Sequence, residues 1–267
     1  IYDFLALIKA NTLSEALTFG MIWRGFARII ASRIKMHLPV NHNKSNVSHH
    51  YDLSAKLFDL FLDEDWQYSC AYFNPPGITL DEAQAAKKRH IAAKLLLAED
   101  QSVLEIGSGW GGMAMYLSES SGVDVTGITL SEEQLRVSRG RASKRNLSEK
   151  VRFELQDYKY LPSKKYDRIV SVGMFEHVGP THYREYFNKA AELLDDYGVM
   201  VLHSIGQPYP ALATNPFIEK YIFPGGYIPS LAEVLPAVEK AGLLVRDIEI
   251  LPMHYAHTLR HWRERLS

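Results

Sequence analysis

Short apolar runs and stretches of helical period alternate from residue 102 towards the end of the chain. The runs SVLEIG (102–107), VDVTGITL (123–130), VRFELQ (151–156), DRIVSVG (167–173) and VMVLHSI (199–205) are rich in Val, Ile and Leu, which predicts five strands. A helix is expected after the first run, through Leu117. A second starts at Ser131, whose spacing to Gln134 has the form of a capping box, and runs towards Lys144. Thr181 stands near the start of a helix over about 183–195 that ends before Gly198. A further helix, about 230–241, leads to LLVRDIEIL (243–251), which reads as a sixth strand. Strands alternating with helices imply an α/β fold with a parallel sheet covered on both faces. Ligands then belong at the carboxyl ends of the strands.

Residues 1–47 have a different pattern. SEALTFGMIWRGFARIIASRIKMHL reads as a helix with Ser14 as N-cap and Pro39 as stop. Leu17, Ile22, Phe26, Ile29 and Ile30 mix there with Arg24, Arg28, Arg33 and Lys35, and only Asp3 and Glu15 oppose the basic residues up to position 50. Such a segment either lies on an anionic bilayer or packs on its own domain with a solvated basic face. The domain division expected is therefore 1–47 and 48–267.

Composition narrows the partners. A net charge of −1 leaves no global field to attract nucleic acid. The apolar runs fall short of the roughly 20 residues of a transmembrane helix, and no secretory signal is visible. A single cysteine, Cys70 in YSCAYF, excludes an internal disulfide and a multi-thiolate zinc site. By default it is a small buried hydrophobe. No metal motif is seen, since His49 and His50 are adjacent and do not share a helix face. The chain opens on Ile1, so a fragment is expected.

The run EIGSGWGG puts Gly107, Gly109 and Gly111 straight after a strand, with Glu105 at the strand end. Glycines there allow a tight turn and close approach of a ligand. The G-x-G-x-G spacing is not that of a dinucleotide site. Together with the βα order it looks like the S-adenosylmethionine loop of a class I methyltransferase. The second strand ends in GITLSEEQ without an acidic residue, so Thr129 and Gln134 would bind ribose hydroxyls by neutral hydrogen bonds.

Several stretches, in order, carry a closer resemblance: HYDLSAKLFDLFLDEDWQYSCAYF, VLEIGSGWGG, GITLSEEQ, LQDY, RIVSVGMFEHVG, LHSIG, KYIFPGGYIPS and HYAHTLRHW. From about Ser48 to the last residue the chain resembles the bacterial cyclopropane-fatty-acyl-phospholipid synthases and the related mycolic acid cyclopropane synthases. The resemblance implies a Rossmann-like methyltransferase sheet and methyl transfer from S-adenosylmethionine to a cis double bond of a lipid acyl chain. A carbocation forms, and loss of a proton to a bound bicarbonate closes the ring. It implies a bicarbonate cage of Cys70, Glu176, His203, the backbone at Ile205, and Tyr255. It also implies cofactor contacts from Tyr51, Tyr68 and Ser69 on the lid side and Gly107, Gly109 and Gly111 at the methionine part. Thr129 and Gln134 fall at the ribose, and Asp157 and Tyr158 at the adenine. Cys70 would then line an anion site without attacking anything.

The implied partners are unsaturated phospholipid chains at a membrane surface, reached from the cytoplasm by a protein peripheral to the inner membrane; a homodimer stays open. Two departures stand out. Related full-length enzymes carry a small lipid-binding domain before this region. At the other end HWRERLS stops before the helices and last strand expected, so LLVRDIEIL would lack its usual neighbour, and weak activity at best is expected if this fragment is the whole molecule. Alternatives are a methyltransferase giving methylene- or methyl-branched chains, a small-molecule methyltransferase, and an inactive lipid-binding module.

Overall fold

In the computed structural model, residues 55–209 and 225–267 are described. All of them lie in the second of the chain's two units, Val40–Ser267. The basic amino-terminal segment and Tyr51 fall outside the described residues.

The chain runs α1 (Ala55–Asp59), α2 (Leu80–Leu95), β1 (Ser102–Ile106), α3 (Gly112–Ser121), β2 (Asp124–Thr129), α4 (Glu132–Lys144), β3 (Val151–Leu155) and β4 (Tyr166–Val172). It continues through α5 (Tyr183–Leu193), β5 (Leu194–His203), α6 (Leu231–Lys240) and α7 (His254–Leu266). The five strands form one sheet in the order β3-β2-β1-β4-β5, every pair parallel. Ser102 pairs with Asp124 and Ile106 with Ile128, so β1 and β2 end level and the turn after β1 opens at the sheet's carboxyl edge.

Four consecutive residues of β1 and five of β2 are buried. Neighbouring side chains on a strand point to opposite faces, so both faces of these strands are covered. One core gathers Leu95, Val103, Met113, Leu117, Val125 and Phe153, from the sheet and the helices on it. A second, aromatic core of Phe58, Phe61, Phe73, Trp110 and Trp262 lies under the segment that connects α1 to α2. Each fully buried side chain of this size stabilises by about 1.5–3 kcal/mol.

Helix α2 begins in a capping box: Glu82 N donates to Thr79 Oγ1 (3.3 Å) and Thr79 N to Glu82 Oε2 (2.8 Å). Its buried face runs Leu80, Ala83, Gln84, Lys87, Lys88, Ile91, Leu95. That is helical spacing, with three polar residues in the middle of the stripe.

Two sequence expectations need correction. The strand expected at 199 begins at Leu194, because residues 195–198 form a bulge: Tyr166 pairs with Leu194, and the next pair is Arg168 with Val199. Thr181 stands near the start of α5 as expected, in a short 3₁₀ turn, Pro180–His182, that leads into the helix. The segment 243–250 is no strand. It is held by side chains instead: Glu249 bonds His90 (2.6 Å) and Lys94 (2.9 Å), and Asp247 also pairs with Lys94. Leu244, Ile248 and Ile250 stay exposed, and β5 is the sheet edge.

Candidate active site

A cleft lies along the carboxyl ends of the strands; its free space, open mouth included, is about 1110 Å³. Its floor is the turn after β1. Gly107 N and Ser108 N both donate to Ile128 O, at 3.0 and 2.9 Å, which ties this turn to β2. Gly109 has φ +52°, and a Cβ built on it would meet nothing within 4 Å. It lines the cleft with open space before it, as a backbone approached by a ligand requires. Gly111, at φ +83°, has another task. A Cβ there would strike Phe153 at 2.7 Å and Ser138 at 2.8 Å, so it lets α3 close against β3 and α4; the cleft is lined by Gly112 in its place.

Glu105 supplies the floor's carboxyl group. The residue is 3% exposed, and its Oε2 has no partner. Burial pushes its pKa up to about 8, opposed by a backbone hydrogen bond from Ala114 and by the Lys87 charge. An unpaired buried carboxylate oxygen of this kind fits a ligand that brings a cation.

Across the cleft, Thr129 Oγ1 donates to Gln134 Oε1 at 2.8 Å, and Ser131 N donates to Thr129 Oγ1 at 3.2 Å. The expected capping box is therefore half made. Ser131 Oγ accepts from Gln134 N (3.2 Å), but the Gln134 side chain turns to Thr129 instead of back to the cap. Its amide nitrogen is left without a partner among the described residues, a donor suited to a hydroxyl. Beyond them Asp157 Oδ1 caps the short turn Tyr158–Tyr160 through Lys159 N (3.0 Å), and Asp157 and Tyr158 line that end.

The opposite wall is the segment Asp63–Ser69. Asp63 accepts from Gln67 N (2.7 Å) and Asp65 N (3.1 Å). Asp65, buried, takes Lys88 and Arg141 at 2.5 Å each and Arg145 at 3.2 Å. These clamps present Trp66, Gln67, Tyr68 and Ser69 to the cleft. Trp66 meets Trp110 edge-on at 5.3 Å, and Tyr68 stacks on Trp262 at 5.2 Å.

The second group of expected residues stands behind this wall and does not line the cleft. Ile205 N donates to Glu176 Oε1 at 2.8 Å, so these two are in contact. Glu176 Oε2 and His203 Nδ1 are both buried without a partner. His203 ends β5, and its carbonyl accepts from Gly173 N (2.9 Å), a residue that does line the cleft. Burial raises the Glu176 pKa and lowers that of His203 to about 4. Burial pushes the Cys70 thiol up to about 11 and raises the Tyr255 phenol, with Tyr68, Glu176 and Cys70 adding to the latter. At neutral pH Cys70 and Tyr255 keep their protons, His203 is neutral and Glu176 is biased towards its acid form. Such a set offers donors to a small oxyanion without repelling it.

Sequence reasoning passed over Lys87. It is 3% exposed, and its Nζ donates to Ser69 Oγ at 2.7 Å. The signal was present, since Gln84, Lys87 and Lys88 break the apolar stripe of α2. The roles of Asp63 and Asp65 were also missed; acidic residues in a loop carry no mark of burial. Among the described residues no group of three or more His, Cys, Asp or Glu is arranged to hold a metal ion.

A parallel sheet of this order, with a glycine turn and an acidic residue at the end of β1 opening on a cleft at the strand ends, defines the class I methyltransferase fold. Residues 40–267 match the mycolic acid cyclopropane synthetase family, and the chain belongs to that family. It is 41% identical over 228 residues to a probable fatty acid methyltransferase of Pseudomonas putida, covering 83% of this chain and 58% of that protein. It is 41% identical over 216 residues to the cyclopropane-fatty-acyl-phospholipid synthase of Escherichia coli K12, covering 81% and 55%. The chain thus spans a little over half the length of these two relatives. Among solved structures it resembles a cyclopropane synthase from Mycobacterium tuberculosis, with TM-score 0.78, 34% identity and coverage of 84% of this chain and 82% of that one. A mycolic acid cyclopropane synthase complexed with SAH and CTAB gives TM-score 0.78 and 36% identity over the same shares.

Proposed function

We propose that this chain is the catalytic part of a cyclopropane-fatty-acyl-phospholipid synthase, which adds a methylene to the cis double bond of unsaturated phospholipid acyl chains. The observation that carries the reading is the pair of unpartnered buried atoms, Glu176 Oε2 and His203 Nδ1, immediately behind a cleft whose floor holds the Glu105 carboxyl with its Oε2 unpartnered.

S-adenosylmethionine, when bound, supplies the methyl group. Glu105 and the backbone at Gly107 and Gly109 would hold its methionine part. Thr129 and Gln134 would hold the ribose, Asp157 and Tyr158 the adenine, with Tyr68, Ser69 and Tyr51 on the lid side. An alkene is a weak nucleophile, so the protein's main contribution is to fix the reacting carbon in line with the donor. Methyl transfer leaves a carbocation on the acyl chain, which water would quench. The rings of Trp66, Tyr68, Trp110 and Tyr158 line the cleft, and each face can stabilise a cation by about 0.5–2 kcal/mol. Bicarbonate, held by Cys70, Glu176, His203, Tyr255 and the backbone at Ile205, would serve as the base. Ile205 N is already given to Glu176, so at that residue the backbone acts through the carboxyl group.

Among the described residues no helix is long and apolar enough to cross a membrane. The reading places the enzyme at the cytoplasmic membrane surface, where its lipid substrate is. Incubation of the protein with unsaturated phospholipid vesicles and S-adenosylmethionine tests it, with recovered acyl chains analysed by mass spectrometry and proton NMR. Chains heavier by one CH₂, with high-field cyclopropane protons and no alkene signal, are expected. The same mass with a terminal methylene signal would select the branching reaction instead. Unchanged chains would refute both.

A further inference from the structure

We propose that Lys87 is a positioning residue that fixes the Ser69 hydroxyl as a hydrogen-bond donor to the α-carboxylate of the methyl donor, so that Glu105 and the Lys87–Ser69 pair together recognise an amino-acid zwitterion. The inference rests on the cofactor reading above and adds a residue and a subsite to it.

An ammonium only donates. Lys87 Nζ lies 2.7 Å from Ser69 Oγ, so that oxygen accepts, and the hydroxyl's own proton must point elsewhere. Ser69 donates to no acceptor among the described residues, and it lines the cleft. Its proton is therefore available to a ligand, and the cation behind it makes the hydroxyl a stronger donor than a free serine.

The segment is held to keep this geometry. Gln84 Nε2, one helical turn before Lys87 on α2, donates to Gln67 O (3.1 Å) and Ser69 O (3.0 Å). Ala71 N donates to Thr258 Oγ1 (3.0 Å) on α7. Lys87 needs these supports because it has no direct ion pair: its one hydrogen bond among the described residues is to Ser69. A buried ammonium kept for stability alone would be expected to touch a carboxylate. Asp63 and Asp65 act on it only through space, and burial holds its pKa down at about 8.

Position decides which part of a ligand this donor meets. A Cβ on Gly173, at the end of β4, would be 3.6 Å from Ser69 Cβ. Glu105 is the penultimate residue of β1, the neighbour of β4, whereas Thr129 ends β2 and Asp157 follows β3. The end of the cleft at β1 and β4 therefore pairs an unpartnered Glu105 carboxyl, which a ligand's cation would ionise, with a cation-backed hydroxyl at Ser69. Burial raises the Glu105 pKa, and the Lys87 charge opposes that rise through space, so the two groups are near enough to interact. A ligand with an ammonium and a carboxylate on one carbon satisfies both poles. A neutral thioether does not.

The test measures binding of S-adenosylhomocysteine and of 5′-methylthioadenosine, which lacks the amino-acid portion, by calorimetry. Wild type, Lys87→Met, Lys87→Gln and Ser69→Ala are compared in the full chain. Each variant is expected to weaken S-adenosylhomocysteine about tenfold, one charge-assisted hydrogen bond, while leaving methylthioadenosine unchanged. Lys87→Met with Ser69→Ala should be no worse than either alone. Equal loss of both ligands, or additive losses in the double variant, would overturn the proposal. If neither lysine variant folds, an unchanged affinity ratio in Ser69→Ala overturns it and a lowered ratio upholds it. A wild-type chain that binds neither ligand refutes the cofactor reading itself, whereas wild-type binding with an unaffected Lys87→Met refutes only this inference.

Discussion

Gly109 and Gly111, two residues apart in one turn, are expected to respond oppositely to the same substitution. Both have positive φ, +52° and +83°, where an L-residue is strained by about 1–2 kcal/mol. Gly109→Ala adds only that strain to the folded protein, because its new methyl group points into open space. Gly111→Ala must also displace Phe153, whose Cζ would lie 2.7 Å from the new Cβ, and Ser138 at 2.8 Å. Both neighbours are packed between β3 and α4 and cannot swing into solvent, so overpacking of about 1–3 kcal/mol is added. The totals are about 1–2 kcal/mol for Gly109→Ala and about 2–5 kcal/mol for Gly111→Ala. The second is a large part of a typical domain stability of about 5–15 kcal/mol. Urea unfolding followed by circular dichroism gives the two values. Binding should show the reverse order. Gly109→Ala loses S-adenosylhomocysteine affinity by at least about tenfold, because its methyl occupies the ligand's approach, whereas folded Gly111→Ala keeps it. Equal destabilisation by the two substitutions would mean that Phe153 yields freely, and the division of labour between these glycines would be wrong.

Glu176→Gln keeps the shape of the side chain but cannot exchange a proton. It should lower cyclopropane formation by at least about 100-fold while cofactor affinity changes little, since Glu176 does not line the cleft. Cys70, with its thiol pushed up to about 11, carries only about 0.1% thiolate at pH 8, so iodoacetamide should label the folded protein far more slowly than the urea-unfolded chain. His203 supplies a pH test. Its folded pKa, about 4, lies below the ordinary 6.5, so the unfolded chain takes up a proton at a pH where the folded protein does not. Stability from this residue is whole above about pH 6.5 and is lost as pH falls towards 4, by at most about 3 kcal/mol. Urea midpoints for His203→Gln should therefore decline less steeply over that window than those of the wild type; parallel declines would refute it.

Much of the fold was legible because it is set by local periodicity. Runs of Val, Ile and Leu buried on both faces of a parallel sheet leave a continuous apolar signature, and five of the six predicted strands were found, four of them within a residue of their expected ends. The segment 243–251 has the same signature and is no strand, because a strand is completed by a partner's hydrogen bonds, and residues 243–250 are held by ion pairs to α2 instead. The bulge at 195–198 was hidden for a similar reason: pairing with β4 reaches past it to Leu194.

The candidate site divides in the same way. The order of residue types along the chain determined the glycine turn, Glu105 at the strand end and the neutral Thr129–Gln134 pair, because each lies within a few residues of its own strand. Tertiary structure alone decided which glycine faces the open cleft and which faces the core. It also decided that Glu176 meets Ile205, and that Glu176 Oε2 and His203 Nδ1 lack partners. Lys87 shows the difference best. A lysine in the apolar stripe of α2 could be seen in the sequence. That its ammonium meets Ser69 could not, because the pair joins elements 18 residues apart whose approach is set by core packing and by buried hydrogen bonds. Sequence specifies which groups are available; burial fixes their protonation, and packing fixes which of them meet.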